Sequence, residues 1–480
     1  MFKSKIVRNA SFVSSGAIVS KILALVTLYF TSRLLGPGNF GAYNFAVVYA
    51  GYFAILADFG TTQVMIIKGA QQPENRSILF WQIAYFRSII GLVIAGLLIC
   101  SAFIVTSDVN TKRAIIISSL AIPIGNISGL LGAFFISDQM HNFKVIIETF
   151  ISLAVTAFSI LFLYLGYGYV TLILIGLLGV LCMVAIQYKY LRGHGLDKSI
   201  KIDLNDVFII IKVAAPFGVI IFLNNLFNRV DIVLIQNMLG ANAVGVYSAA
   251  YKLMNNVAFI PGAVTSALFP VMSIMTITNP QHLGNLLKRT ITVLLSIGLP
   301  IALLTTIWGA DFVMLYFGDG YKGSVLPLII LGWAVPIMFI NSVFIHLFYA
   351  YNWLKKIILL VLLLVAVNIG INIFLLKMIG IAGAAVATVA CECLAISYYF
   401  INMKISPKRM LAKIPANITV MLAVSATALA TFIFVGRQSA IFAKSISTII
   451  IICGIYVVLK KEGLAEIVFK KKALTNAGQK

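Results

Sequence analysis

The sequence predicts an all-α polytopic membrane protein of about fourteen transmembrane helices, arranged as two pseudo-symmetric six-helix lobes with a C-terminal helix pair. Three observations predict it. Of 480 residues, 61% are apolar and 10% charged, against roughly 45–50% and about 25% in soluble domains, and the mean hydropathy is +1.04. The apolar residues gather in runs of about 20 or more, the length that crosses a hydrocarbon core about 30 Å thick. A motif between the first two runs returns 204 residues later. A soluble enzyme and a disordered chain are both excluded, because neither can expose apolar surface on this scale.

The runs cover residues 9–31, 40–67, 78–106, 114–136, 145–165, 170–190, 207–239, 244–277, 286–308, 323–351, 357–378, 381–403, 416–435 and 440–459. The first follows a basic start (Lys3, Lys5, Arg8) but has no A-x-A cleavage pattern and is long enough to span, so it reads as a helix rather than a removed signal peptide. The seventh and eighth are overlong, and Pro216, Pro261 and Pro270 are expected to bend them. No connection is longer than the one over 191–206. The function must therefore reside in the helices and their short links.

The net charge is +22, from 36 Lys and Arg against 14 Asp and Glu. In a soluble chain this would suggest a nucleic-acid partner. Here the bases sort by side of the membrane. With the N-terminus inside, 24 lie on the inner side, 7 on the outer side and five within runs. That bias places both termini in the cytoplasm, and no nucleic-acid partner is expected. The five cysteines are scattered through apolar runs, and Cys391 and Cys393 stand on different helix faces. They suggest neither a disulfide framework nor a metal site. Glycine-rich nucleotide loops, metal-ligand spacings and catalytic triads are absent from the sequence, so neither a cofactor nor an enzymatic activity is expected.

Two segments repeat: L-G-P-G-N-F-G-A-Y over 35–43 and L-G-A-N-A-V-G-V-Y over 239–247. Each joins an outward run to an inward one. A weaker echo, over 138–147 and 349–358, places an aromatic-rich turn and a lysine (Lys144, Lys355) before an apolar run. These offsets predict an N-terminal lobe over 1–204, a C-terminal lobe over 205–403, and two extra helices with a basic tail over 404–480. Parallel repeats of this kind are related by an axis along the membrane normal and mark transporters that rock about a central site.

Ionisable groups inside runs cost about 2.5–3.5 kcal/mol each on insertion scales, so several of them imply a cavity or a partner. Five bases, Lys21, Arg87, Lys212, Arg229 and Lys252, come from both halves, and a cavity lined by them suits an anionic substrate. Lys21 and Lys252 lie deepest. Asp58, Asp231 and Glu392 are the acids placed to couple transport to an ion. The blander alternative pairs Arg229 with Asp231 and Lys21 with Glu392. His346, near Asn341, Ser342 and Tyr349, reads as a hydrogen-bonded core histidine.

The segments R-L-L-G-P-G-N-F-G-A-Y (33–43), A-D-F-G (57–60), N-R-V-D (228–231), L-G-x4-G-x-Y (239–247) and G-I-A-G-A-A (380–385) resemble the polysaccharide transport family of the multidrug/oligosaccharidyl-lipid/polysaccharide exporter superfamily, the Wzx-type O-antigen flippases. The resemblance covers roughly residues 1–403. It implies a bacterial inner-membrane flippase for undecaprenyl-pyrophosphate-linked repeat units of O-antigen or another surface polysaccharide, coupled to a gradient of H+ or Na+ and working beside membrane lipids and polysaccharide assembly proteins. A multidrug cation exporter of the same superfamily is the alternative, but it favours acids in the cavity. A membrane glycosyltransferase or polymerase would need long outer loops, which this chain lacks.

Overall fold

The computed structural model describes residues 2–196, 203–278, 280–403, 427, 444–452 and 455, and among them the regular structure is helical throughout. In chain order the helices are α1 (Phe2–Asp58), α2 (Thr61–Gln71), α3 (Arg76–Val105), α4 (Val109–Ser137), α5 (His141–Tyr164), α6 (Tyr169–Arg192) and α7 (Leu204–Leu239). They continue with α8 (Ala241–Val257), α9 (Phe259–Thr278), α10 (Pro280–Tyr316), α11 (Val325–Ala350), α12 (Leu354–Ile379) and α13 (Ile381–Asn402).

Eleven helical segments among the described residues are long and apolar enough to span a bilayer. One of them, Ile18–Asp58, has 41 residues. As a straight rod it would measure about 60 Å, twice a hydrocarbon core. It breaks instead at Gly36, whose φ of 70° and ψ of 169° precede Pro37. Counting its two arms separately gives twelve spans up to Asn402, as the apolar runs predict. The expected spans over 416–435 and 440–459 lie largely outside the described residues. The helical stretch 444–452 packs on α10, where Trp308 Nε1 donates to Thr448 Oγ1 at 2.9 Å and Lys444 pairs with Asp311.

The prolines act unequally. The eighth run divides at Ala258 into α8 and α9, three residues before Pro261, which supplies no N–H to the carbonyl of Val257 and crowds it. By contrast α7 continues through Pro216, and α9 through Pro270. Asp108 and Asp203 cap the starts of α4 and α7, accepting from the backbone N–H of Thr111 at 2.6 Å and of Asn205 at 2.8 Å.

By packing, the chain forms two compact units, 1–248 and 249–480. The first is built on α1, α3, α4, α5 and α6, with a core of Met65, Phe80, Phe134, Phe135 and Leu191. Helix α7 packs there too, against α1 and α2. The packing boundary thus falls inside α8, one and a half helices later than the repeat boundary at 204/205. The second unit centres on α10, α11, α12 and α13, around Phe339, Phe344 and Phe348. Close packing there uses Gly332, where a Cβ would stand 2.0 Å from Thr305 Oγ1. Outward faces of both units are apolar: Ile104, Phe150 and Phe374 are among the most exposed side chains, as lipid-facing residues should be.

Candidate functional site

The repeated motif has one backbone conformation in both copies. Gly36 (φ 70°, ψ 169°) and Gly240 (φ 84°, ψ 178°) break the chain in a region that only glycine occupies without strain. Five residues on, the copies touch each other reciprocally. A Cβ on Gly41 would stand 1.7 Å from the Ala241 carbonyl oxygen, and one on Gly245 would stand 1.9 Å from that of Pro37. Since 37 and 241, like 41 and 245, are 204 apart, this is a local twofold crossing made by the repeat itself. A second glycine crossing joins the far end of α1 to the middle of α7. At Gly60 (φ 78°) a Cβ would lie 2.4 Å from the Gly218 nitrogen.

Arg229 lies between these crossings, eleven residues from Gly218 and eleven from Gly240, or about 16 Å from each along α7. That is midway between the two crossings. Its guanidinium faces Gly51 on the second arm of α1, where a Cβ would be 3.8 Å from Nη1. The side chain is exposed, and it forms no hydrogen bond or ion pair with any described residue. Beside Gly51 an apolar slot of about 280 Å3 opens between this arm, α4 and α6, lined by Val47, Ala54, Ile122 and Leu177 among others.

Arg87 and Asp58 are brought together. Arg87 is fully buried and its Nη2 pairs with Asp58 Oδ1. Its Nε donates to Thr61 Oγ1 at 2.8 Å, Nη1 to the Asn126 carbonyl at 2.7 Å, and Nη2 also to Thr62 Oγ1 at 2.7 Å. Asp58 in turn accepts from the Gly60 N–H at 3.1 Å. A buried charge needs such complete partnering. The result is a clamp joining α1, α2, α3 and α4, in which the Arg87 donors are engaged rather than offered to a ligand.

The remaining charges fall apart. Asp231 is buried and accepts from Tyr247 Oη at 2.8 Å, so the acid of N-R-V-D is tied to the tyrosine of the second repeat rather than to Arg229. Lys212 is exposed near the start of α7, its Nζ 4.5 Å from the Phe208 ring centroid. Lys21 and Lys252 are half-buried, on α1 and α8.

In the second unit Glu392 of α13 accepts from Asn341 Nδ2 of α11 at 2.5 Å, and the same amide donates to the Glu392 backbone carbonyl at 2.9 Å. The Asn341 Oδ1 is buried without a partner. Glu392 has no basic group paired with it among the described residues. One turn further along α11, His346 Nδ1 lies 2.7 Å from the Ser342 carbonyl and Nε2 lies 3.4 Å from Thr265 Oγ1. The histidine is a hydrogen-bonded interior group, as expected. Sequence reading missed Thr61, Thr62 and Asn341 as partners of the charges. The threonines directly follow A-D-F-G, and that adjacency was the available signal; nothing local in the sequence links Asn341 to Glu392.

Residues 6–276 match the family model described as "Polysaccharide biosynthesis protein". A protein of Escherichia coli (strain K12) named for O-antigen transport is 21% identical over 403 residues, covering 81% of this chain and 94% of that one. A protein of the same name from Shigella flexneri is 22% identical over 335 residues, covering 66% of this chain and 78% of that one. Among solved structures, the lipid II flippase MurJ in an inward closed conformation superposes with a TM-score of 0.73 at 15% identity, over 95% of this chain and 98% of that one. An inward-facing multidrug resistance MATE family transporter of the MOP superfamily superposes with a TM-score of 0.65 at 16% identity, over 84% and 98%. The fold is therefore that of the MOP transporters, the resemblance read from the glycine repeat and N-R-V-D holds, and the chain belongs to the polysaccharide biosynthesis protein family of multi-pass membrane proteins.

Proposed function

We propose that this protein is a flippase that moves undecaprenyl-pyrophosphate-linked oligosaccharide repeat units, of O-antigen or another surface polysaccharide, outward across the bacterial inner membrane. The observation that carries the reading is Arg229, an exposed guanidinium within an apolar spanning helix and midway between two glycine crossings, with no protein partner among the described residues. An isolated charge there is costly, and such residues mark substrate paths. A pyrophosphate would replace its missing water with charge-assisted hydrogen bonds. The apolar slot beside Gly51 suits the first part of the lipid chain. Lys21, on the first arm of α1, would extend the positive lining. The O-antigen transport named for two relatives supports the same substrate class.

In this reading two six-helix lobes, 1–204 and 205–403, rock in alternating access, with both termini cytoplasmic. Outward passage of negative charge is favoured by an inside-negative potential by about 2.3 kcal/mol per charge per 100 mV. Release requires a weaker outward state, and a ligand can shift that balance only through differential affinity. Glu392 is the coupling acid we favour. Its carboxylate accepts from the Asn341 amide. Once protonated it can donate to the otherwise unpaired Asn341 Oδ1, after the amide turns over. Both states of a proton cycle would then keep a partner.

The test is complementation of surface polysaccharide in a strain lacking its transporter, with membrane levels measured in parallel. Arg229→Ala should abolish polysaccharide while the protein inserts normally. Arg229→Lys should restore part of it, because charge persists without the planar fork. Normal polysaccharide with Arg229→Ala would remove the assignment.

A further inference from the structure

A second cavity, of about 340 Å3, lies in the first unit between the end of α2, the 72–75 turn, and the first turns of α3 and α7. It carries one charge of each sign. Lys68 is half-buried on its wall, and the ammonium makes no ion pair or hydrogen bond with a described residue. Asp206 stands on the same wall, with Oδ2 accepting from Gln82 Nε2 at 2.9 Å. Gln82 is buried, at 5% exposure, so the carboxylate is held by a fixed amide. Two opposite charges share one cavity and do not meet. Asn75 adds a neutral amide between them in sequence, and Ile78 and Ile209 on the rim are 38% and 54% exposed, as lipid-facing side chains are. The distribution of Lys and Arg assigns this end to the inner leaflet.

We propose that this cavity binds the headgroup of a zwitterionic aminophospholipid, a phosphatidylethanolamine, with its phosphate on Lys68 and its ammonium on Asp206. The pattern selects among headgroups by chemistry. A primary ammonium donates N–H bonds to a carboxylate, whereas a quaternary choline has none to donate. A phosphatidylglycerol supplies the phosphate but only neutral hydroxyls, and no cation, for Asp206. The acyl chains would run along Ile78 and Ile209. The proposal is independent of transport and of the Arg229 site.

The experiment uses the full-length chain purified in detergent, with lipid retention read by native mass spectrometry and by thermal unfolding on titration of phosphatidylethanolamine, phosphatidylcholine or phosphatidylglycerol. The wild type should retain phosphatidylethanolamine in preference. Asp206→Asn should weaken that retention about tenfold, the loss expected for one charge-assisted contact, and leave phosphatidylcholine unchanged, whereas Lys68→Gln should weaken both lipids about tenfold, because both carry the phosphate. Water-soluble glycerophosphoethanolamine serves as a separate arm. Competition by it would place recognition in the headgroup, whereas equal displacement by glycerophosphocholine would overturn the proposal. Equal retention of phosphatidylethanolamine and phosphatidylcholine by the wild type would also overturn it, whether or not the Asp206 variant folds. So would undiminished retention of phosphatidylethanolamine in Lys68→Gln.

Discussion

The crossing of the two motif copies gives a sharp prediction, because the same substitution can be placed at two glycines three residues apart. At Gly41 a new Cβ would sit 1.7 Å from the Ala241 carbonyl oxygen, while at Gly38 it would meet nothing within 4 Å. Neither position needs a left-handed backbone, so Gly→Ala differs between them only in what the methyl touches. An ordinary carbon–oxygen contact is about 3.2 Å, so the Gly41 variant must open the crossing by roughly 1.5 Å. The neighbour is backbone and cannot rotate aside. Overpacking of this kind costs about 1–3 kcal/mol, a shift of about 5- to 150-fold in the population of the closed crossing. Gly245→Ala should match Gly41→Ala, since its Cβ meets the Pro37 carbonyl oxygen at 1.9 Å. Thermal unfolding of the purified variants and reactivity of a cysteine at Asn39, exposed next to the crossing, are the measurements. Gly41→Ala should melt lower and label faster than Gly38→Ala. If the two variants behave alike, the crossing does not hold the outer ends of these helices together, and the reasoning from the repeat fails.

The other predictions concern buried charge, capping and topology. Asp58→Asn should destabilise the protein by about 3–5 kcal/mol, because it leaves the fully buried Arg87 uncompensated, and Arg87→Met by less, because Asp58 is only partly buried and keeps its Thr62 and Gly60 hydrogen bonds; the double change Asp58→Leu with Arg87→Met should recover much of the loss, and membrane yield and melting temperature of the four proteins check this. Asp108→Ala should cost about 1 kcal/mol through loss of the α4 cap. Hydrogen bonds from Thr111 hold the Asp108 carboxyl below its ordinary range, opposed by partial desolvation. The cap's contribution is therefore present above the unfolded value of about 3.9 and disappears as the pH falls through the folded one, so wild type and variant should converge in acid melts. Reporter fusions at Gly193 and Gln479 should report cytoplasm and one at Gly320 periplasm; a periplasmic signal at Gln479 would require an odd number of spans.

How much of this could be read from the chain depends on the range of each interaction. The twelve spans up to Asn402 were legible because bilayer burial acts on each run separately, and a run of apolar residues states its own case. The breaks at Gly36 and Gly240 were legible for a similar reason: a backbone conformation that excludes side chains leaves a glycine at a fixed place in a motif. The echo over 138–147 and 349–358 was legible in kind but not in register. Its turns share a left-handed residue at Gln139 and Asn352, each with φ of 57°, which are 213 residues apart rather than the 211 that aligning the lysines gives. Turn geometry fixes the structural correspondence, and the lysines ride on the helices that follow. The charges were the hardest to read. Sequence neighbours suggested Arg229 with Asp231, but residues two apart on a helix point to different faces, and the structure gives Asp231 to Tyr247, sixteen residues on and across the Gly240 break. Arg87 found Asp58 on another helix, with donors and acceptors from four segments. Such partners depend on which helix faces meet, a property of the packed bundle. The sequence can say that a charge inside an apolar run must be answered, and the fold decides whether the answer is a protein group, as at Arg87, or is left to a ligand, as we propose for Arg229.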